Sequence, residues 1–145
     1  MTSEQPKVNA RLQRTIPRLH VADVGKSVAC YRDLLGFAVE FEEASFAVVR
    51  RDDVSIFIGL SGLTGVKRNL SKVSAGCPVD LYIMLSRPDD VDALHQELIA
   101  RGADIHEKYV EGPILEDYGM KELSVFDADG CELVFAASVQ KMQGG

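Results

Sequence analysis

Hydrophobic positions along the chain fall into two rounds of the same order: an alternating stretch, a stretch with helical spacing, then three short alternating stretches. In the first round, Thr15 to Val21 sets Leu19 and Val21 against Ile16, Arg18 and His20, the period-two pattern of a strand. Asp23 to Leu35 then places Val24, Val28, Tyr31 and Leu35 on one stripe of a 3.6-residue period, with Asp23 as the cap and Gly36 as a left-handed stop. Three β-type runs follow, 38–42, 46–49 and 54–58, the last two joined by the polar turn Arg50-Arg51-Asp52-Asp53. The second round opens with a strand over 80–85. It continues with a helix that Asp90 is expected to cap, that carries Val91, Leu94 and Leu98 on one stripe, and that Gly102 stops. Runs 105–110, 122–126 and 132–136 close it, with Asp127-Ala128-Asp129-Gly130 turning between the last two.

Repetition of a whole supersecondary unit predicts two like modules, residues 15–59 and 80–138, in an α+β architecture. Residues 1–14 read as a polar N-terminal segment and residues 139–145 as a tail. Residues 60–79, rich in Gly, Ser and basic side chains and without apolar period, read as a linker. Such a linker allows the modules to pair within one chain or to exchange with a second chain, and the sequence leaves both open.

Charge narrows the range of partners. Acids number 22 against 16 Lys and Arg, and the net charge of −6 argues against nucleic acid, which requires a basic face. The same balance is compatible with a cationic ligand, and it also keeps a small protein soluble. No stretch approaches the ~20 apolar residues of a membrane span, and the first nine residues lack an apolar export core, so a cytoplasmic protein is expected. Cys30, Cys77 and Cys131 form no CxxC pair and are odd in number, which reads as reduced, structural thiols.

Several motifs resemble the vicinal oxygen chelate superfamily of glyoxalases, bleomycin-resistance proteins and dioxygenases. They are Arg18-Leu19-His20-Val21-Ala22-Asp23-Val24, then Ser27 and Tyr31-Arg32-Asp33-Leu34-Leu35-Gly36-Phe37. The second half adds Asp89-Asp90-Val91-Asp92-Ala93-Leu94, Tyr118-Gly119-Met120-Lys121-Glu122-Leu123 and Phe126-Asp127-Ala128-Asp129-Gly130-Cys131-Glu132-Leu133. The likeness runs from about Thr15 to about Ala137 and is nearest to bleomycin-resistance-type members. It implies two βαβββ modules whose curved mixed sheets, each with its helix on the convex side, surround a concave pocket. It also implies a homodimer whose pockets use both chains. It does not imply one activity, because this fold hosts unrelated chemistries.

Strand alternation sorts side chains between the helix-packed face and the pocket face. The pocket face is expected to carry Ile16 and Ser55 together with the predicted ligand-binding residues Arg18, His20, Phe57, Asp80, Tyr82, Met84, Glu122, Ser124, Phe126, Glu132 and Val134. An aromatic face with several acids, an Arg and a His is a poor dry core, since unpaired buried charge is costly, and it suits an organic ligand.

Metal-dependent members of the superfamily carry His, Glu or Gln at inward positions that map onto Ile16, Phe57, Asp80 and Val134 here. Only Asp80 has a donor atom, and one carboxylate does not hold Zn²⁺, Ni²⁺ or Fe²⁺, so no metal and no cofactor are expected. A non-standard site pairing His20 with Asp80, Glu122 or Glu132 stays open, although a lone inward His is more often a hydrogen-bonded pocket residue. His95 is expected in solvent, and His106 gives no pairing signal. No Ser-His-Asp order, phosphate loop or paired-Cys motif occurs, and Glu122 with Glu132 is left as a candidate acid/base pair.

The resemblance to bleomycin-resistance proteins therefore implies stoichiometric binding and sequestration of a medium-sized, partly aromatic, cationic compound of antibiotic type. Phe57, Tyr82 and Phe126 would stack on it, and Asp80, Glu122 and Glu132 would meet its positive groups. One rival is a lyase, isomerase or dioxygenase of the same superfamily with an atypical metal or a metal-free site. Another is a ligand-responsive partner protein.

Overall fold

The computed structural model describes residues 10–61 and 80–139. Most of the expected linker, Cys77 and the outermost parts of both terminal segments lie outside the described residues. The first unit runs β1 (Arg18–Val21), α1 (Val24–Ala29) continued by a π-helical turn (Cys30–Leu34), β2 (Ala38–Glu43), β3 (Phe46–Arg51) and β4 (Val54–Leu60). The second runs β5 (Leu81–Met84), α2 (Pro88–Arg101), β6 (Asp104–Ile105), a 3₁₀ turn (Glu107–Tyr109), β7 (Ile114–Leu115), β8 (Met120–Phe126) and β9 (Glu132–Ser138). The strand order is β1-β4-β3-β2 in one sheet and β5-β9-β8-β6 in the other, with β7 also pairing β8. Both sheets are mixed, because β1 runs parallel to β4 and β5 parallel to β9.

Local chemistry accounts for most boundaries. The Asp23 carboxylate accepts from the Lys26 amide at 3.1 Å and caps α1. Gly36 and Gly102 take φ of 78° and 79°, the left-handed conformation that ends a helix. Asp90 does not cap α2. The helix begins three residues earlier, with Arg87 at the cap position and Pro88 in the first turn, where a missing N–H costs nothing. Asp89 and Asp90 instead sit in that first turn, where acids complement the helix dipole.

The expected strand over 105–110 is also corrected. Only Asp104–Ile105 pairs with β8, and the chain then tightens into the 3₁₀ turn, started by the Lys108 amide donating to His106 Nδ1 at 3.0 Å. The partner strand there is supplied by Ile114–Leu115, which the hydrophobic pattern did not single out. The strands over 15–21 and 80–85 are shorter than expected, so Ile16 and Asp80 precede the ladders.

The helix-bearing faces of the two sheets share a single core. Ile56, Ile58, Ala47 and Val49 from the first and Leu123, Val125, Leu133 and Phe135 from the second are buried with the stripes of both helices. Polar groups stitch this seam. Tyr31 donates to Asp127 Oδ2 at 2.7 Å, Ser27 donates to Asp129, and Arg51 makes two hydrogen bonds to Glu97 at 2.7 and 2.9 Å. His95, expected in solvent, is 2% exposed, with Nε2 2.8 Å from the Tyr109 carbonyl oxygen. It lies next to the buried Leu94 on the inward side of α2, which outweighs its polar neighbours in sequence.

Candidate functional site

With the helix faces packed together, each sheet keeps one open face, and the registers decide what lies on it. In the first sheet Arg18, Phe57, Val48 and Phe41 form one cross-strand row. His20, Gly59 and Phe46 form the next; the His20 ring lies over Gly59, where a Cβ would stand 3.7 Å from Nδ1. Phe46 meets Phe57 edge-on with centroids 5.3 Å apart, and Phe41 lies 6.2 Å from Phe46. Phe41 and Phe46 were not among the predicted site residues. The alternation of Phe46 and Val48 against buried Ala47 and Val49 carried a signal for Phe46. Phe41 carried none, because a register shift between Val39 and Phe41 sends two residues of equal parity to opposite faces.

In the second sheet Tyr82, Val134 and Ser124 stand in one row, Met84, Ala136 and Glu122 in the next, and Glu132 opposite Phe126. Tyr82 is 50% and Met84 58% exposed, so the β5 edge of this face is open to solvent, while Ser124 and Ala136 in the same rows are buried. Glu122 is 5% exposed: Tyr82 donates to its Oε2 at 2.6 Å and Tyr118 to its Oε1 at 2.9 Å. Ser124 donates to Glu132 Oε2 at 2.7 Å. Glu122 and Glu132 thus engage separate hydroxyls, and no hydrogen bond joins them as an acid/base pair. His106 stacks on Phe126 with centroids 5.6 Å apart, and Tyr109 meets His106 edge-on. Tyr118 and His106 are further residues of this face that periodicity misses, since both sit in irregular chain beside the strands.

Hydrogen bonding to a carboxylate favours the neutral phenol. The bond to Glu122 holds the Tyr118 phenol up to about 12, and loss of hydration followed by the same carboxylate pushes Tyr82 higher. Burial also raises Tyr31, beside Asp127, and Tyr109. All four tyrosines of the chain are therefore raised. At about pH 10.5, where free tyrosine is more than half ionised, the folded protein should show less tyrosinate absorbance than the unfolded chain. Glu122→Gln should lower the Tyr118 titration toward the ordinary value; an unchanged alkaline titration would show that this contact does not set it.

The residues that the resemblance places at metal positions, Ile16, Phe57, Asp80 and Val134, offer one carboxylate among them. Phe57 lies opposite Arg18 and Val134 opposite Tyr82, equivalent places in the two modules, and Phe and Val have no donor atoms. Ile16 adds none, and among the described residues no three His, Cys, Asp or Glu side chains converge. A separate cleft of about 480 Å³ opens between the modules, beside Asp52, Val54, Ile83 and Glu97; of the predicted site residues only Met84 reaches it. No helix among the described residues is long and apolar enough to cross a membrane.

Residues 11–135 match the sequence model of the Glyoxalase/Bleomycin resistance protein/Dioxygenase superfamily. Among solved structures, a glyoxalase/bleomycin resistance protein/dioxygenase from Nocardioides superposes with a TM-score of 0.70 at 18% identity, over 96% of this chain and 91% of that one. The bleomycin-binding protein of bleomycin-producing Streptomyces verticillus, solved with copper(II)-bleomycin, is 27% identical, with a TM-score of 0.63 over 90% and 99% of the two chains. A glyoxalase-related enzyme from Fulvimarina pelagi reaches 0.60 at 18% identity, over 87% and 88%. No curated protein matches the chain in sequence.

Proposed function

Because the chain belongs to the Glyoxalase/Bleomycin resistance protein/Dioxygenase superfamily, we propose that it binds and sequesters a medium-sized, aromatic, cationic compound of antibiotic type. The observation that carries this reading is the pair of open sheet faces, aromatic and apolar but studded with carboxylates, at positions where a metal-dependent relative needs ligands. Phe57, with Phe41 and Phe46 around it, Tyr82 and Phe126 offer flat surfaces for stacking. Glu122, Glu132 and Asp80 supply negative charge, Ser124 fixes Glu132, and Met84 and Val134 give apolar contact. Arg18 and His20 mark the polar edge of the first face. The likeness to the Streptomyces verticillus protein, which binds bleomycin, supports binding over catalysis.

One chain leaves Phe41, Tyr82 and Met84 on these faces exposed, and a ligand pocket ordinarily buries most of its occupant. A second copy of the chain closes the site by bringing the open face of one module over that of the other. Both β1 and β5 stand at the end of their sheets, which leaves an edge for such a partner. The buried Cys30 thiol suits a reducing cytoplasm, where sequestration would take place.

Calorimetric titration with copper(II)-bleomycin and a panel of aromatic cations tests the reading, with light scattering to follow the dimer. Phe57→Ala and Tyr82→Ala should each weaken binding about tenfold. Raising the salt should weaken it further, because exposed charge is screened. Unchanged affinity in both variants would move the site off these faces, and salt-independent binding would remove the cationic part of the proposal.

A further inference from the structure

We propose that Glu122, Tyr82 and Tyr118 form an acceptor-only seat for an organic cation that carries N–H groups, a protonated primary amine or an amidine. This rests on the binding reading above and specifies one end of the ligand. Glu122 is a desolvated carboxylate, and among the described residues no Lys, Arg or His forms an ion pair with it. A buried charge without a counter-charge is costly, and two phenol hydrogen bonds compensate only part of that cost.

The hydrogen-bond inventory then fixes the chemistry of the guest. Each phenol has one hydrogen, and both are spent on Glu122. What Tyr82 and Tyr118 can still offer is lone pairs, as can the carboxylate behind them. A neutral acceptor on the ligand would find no donor here, while an ammonium or amidinium brings donors and the missing charge together. The two rings, 50% and 68% exposed, flank the position and add attraction for a cation. Val134 and Met84 in the neighbouring rows receive the apolar part of the same molecule. Pinning of the 116–119 turn, where the Gly119 amide donates to the Glu116 carbonyl, is the purely structural role that Tyr118 would otherwise have.

The test uses the full chain and three matched probes, 2-phenylethylammonium, its N,N,N-trimethyl derivative and 2-phenylethanol, followed by chemical-shift titration. The primary ammonium should bind about tenfold tighter than either of the others. Tyr118→Phe, which keeps the exposed ring, and Glu122→Gln should each reduce that preference several-fold. Should Glu122→Gln unfold the protein, the Tyr118→Phe comparison alone decides. Equal binding of the trimethyl derivative would overturn the seat in favour of ring attraction alone. If the alcohol binds at Tyr82 and the amine no tighter, the seat fails while the wider ligand reading stands. If no probe shifts any resonance of the open faces, both fail.

Discussion

Replacing Asp127 by Ala should lower the stability of the protein by about 3–5 kcal/mol, because one buried carboxylate satisfies donors from both modules. Its Oδ2 accepts from Tyr31 at 2.7 Å, and its Oδ1 accepts from the amides of Asp129 and Cys131 at 2.8 and 2.9 Å. Tyr31 is fully buried, so its hydroxyl has no water to turn to once the carboxylate is gone. The two amides belong to the tight turn between β8 and β9, and that turn loosens when they lose their acceptor. For a chain of this length the loss corresponds to a fall in Tm of roughly 10 °C or more. Asp127→Asn keeps an acceptor for the amides and lets the phenol accept from the new NH₂, so it should cost only about 1–2 kcal/mol. Chemical denaturation of the two variants measures both numbers. A cost below about 1 kcal/mol for the Ala variant would show that the seam is not held at this residue.

Gly36→Ala should cost about 2–3 kcal/mol, and Gly102→Ala only about 1 kcal/mol, although both glycines end the helix of their module in the same conformation. The left-handed φ of 78° and 79° imposes a similar backbone penalty on each. The surroundings differ. A Cβ on Gly102 meets nothing within 4 Å, whereas one on Gly36 would stand 2.5 Å from Arg51 Nη1 and 2.9 Å from Glu97 Oε2. Those atoms end flexible side chains, but they are not free to move away at no cost. Arg51 Nη1 donates to the Leu35 carbonyl and to Glu97, both at 2.9 Å, and Arg101 donates to Glu97 at 2.7 Å. The added methyl must break part of this network, which crosses from one module to the other. Equal costs for the two variants, measured by denaturation, would mean that the network yields freely.

Much of the architecture could be read from side-chain order. Leu123 and Val125 against Ser124 and Phe126, or Ile56 and Ile58 against Phe57, alternate cleanly because one face of each strand meets the helices and the other does not. The same alternation puts Phe57, Tyr82, Ser124 and Val134 on the faces turned away from the helices. It fails where the chain leaves strict periods. Tyr118 reaches Glu122 from a turn, His106 reaches Phe126 from the approach to a 3₁₀ turn, and Phe41 changes face at a bulge. His95 fails for another reason. Its burial follows from the packing of the second module's helix against chain 14 residues further on, a contact that charge in the local sequence does not report. Asp90 and Pro88 are both helix-start residues, and α2 starts at the proline, whose φ is already fixed.

The parallel pairings in the two sheets bear on how the protein is made. The strand that begins each module, β1 or β5, finds its partner in the strand that ends it, β4 or β9. Neighbouring antiparallel strands can zip locally, but these closing pairs must span the whole intervening chain, and loop-closure entropy delays them. During synthesis the first sheet therefore stays open until β4 has emerged. The second waits for β9, and so does the seam, because Asp127 and Asp129 lie in the turn just before that strand. Until then the nascent first module carries an uncovered apolar helix face, the period in which a chaperone would have most to hold.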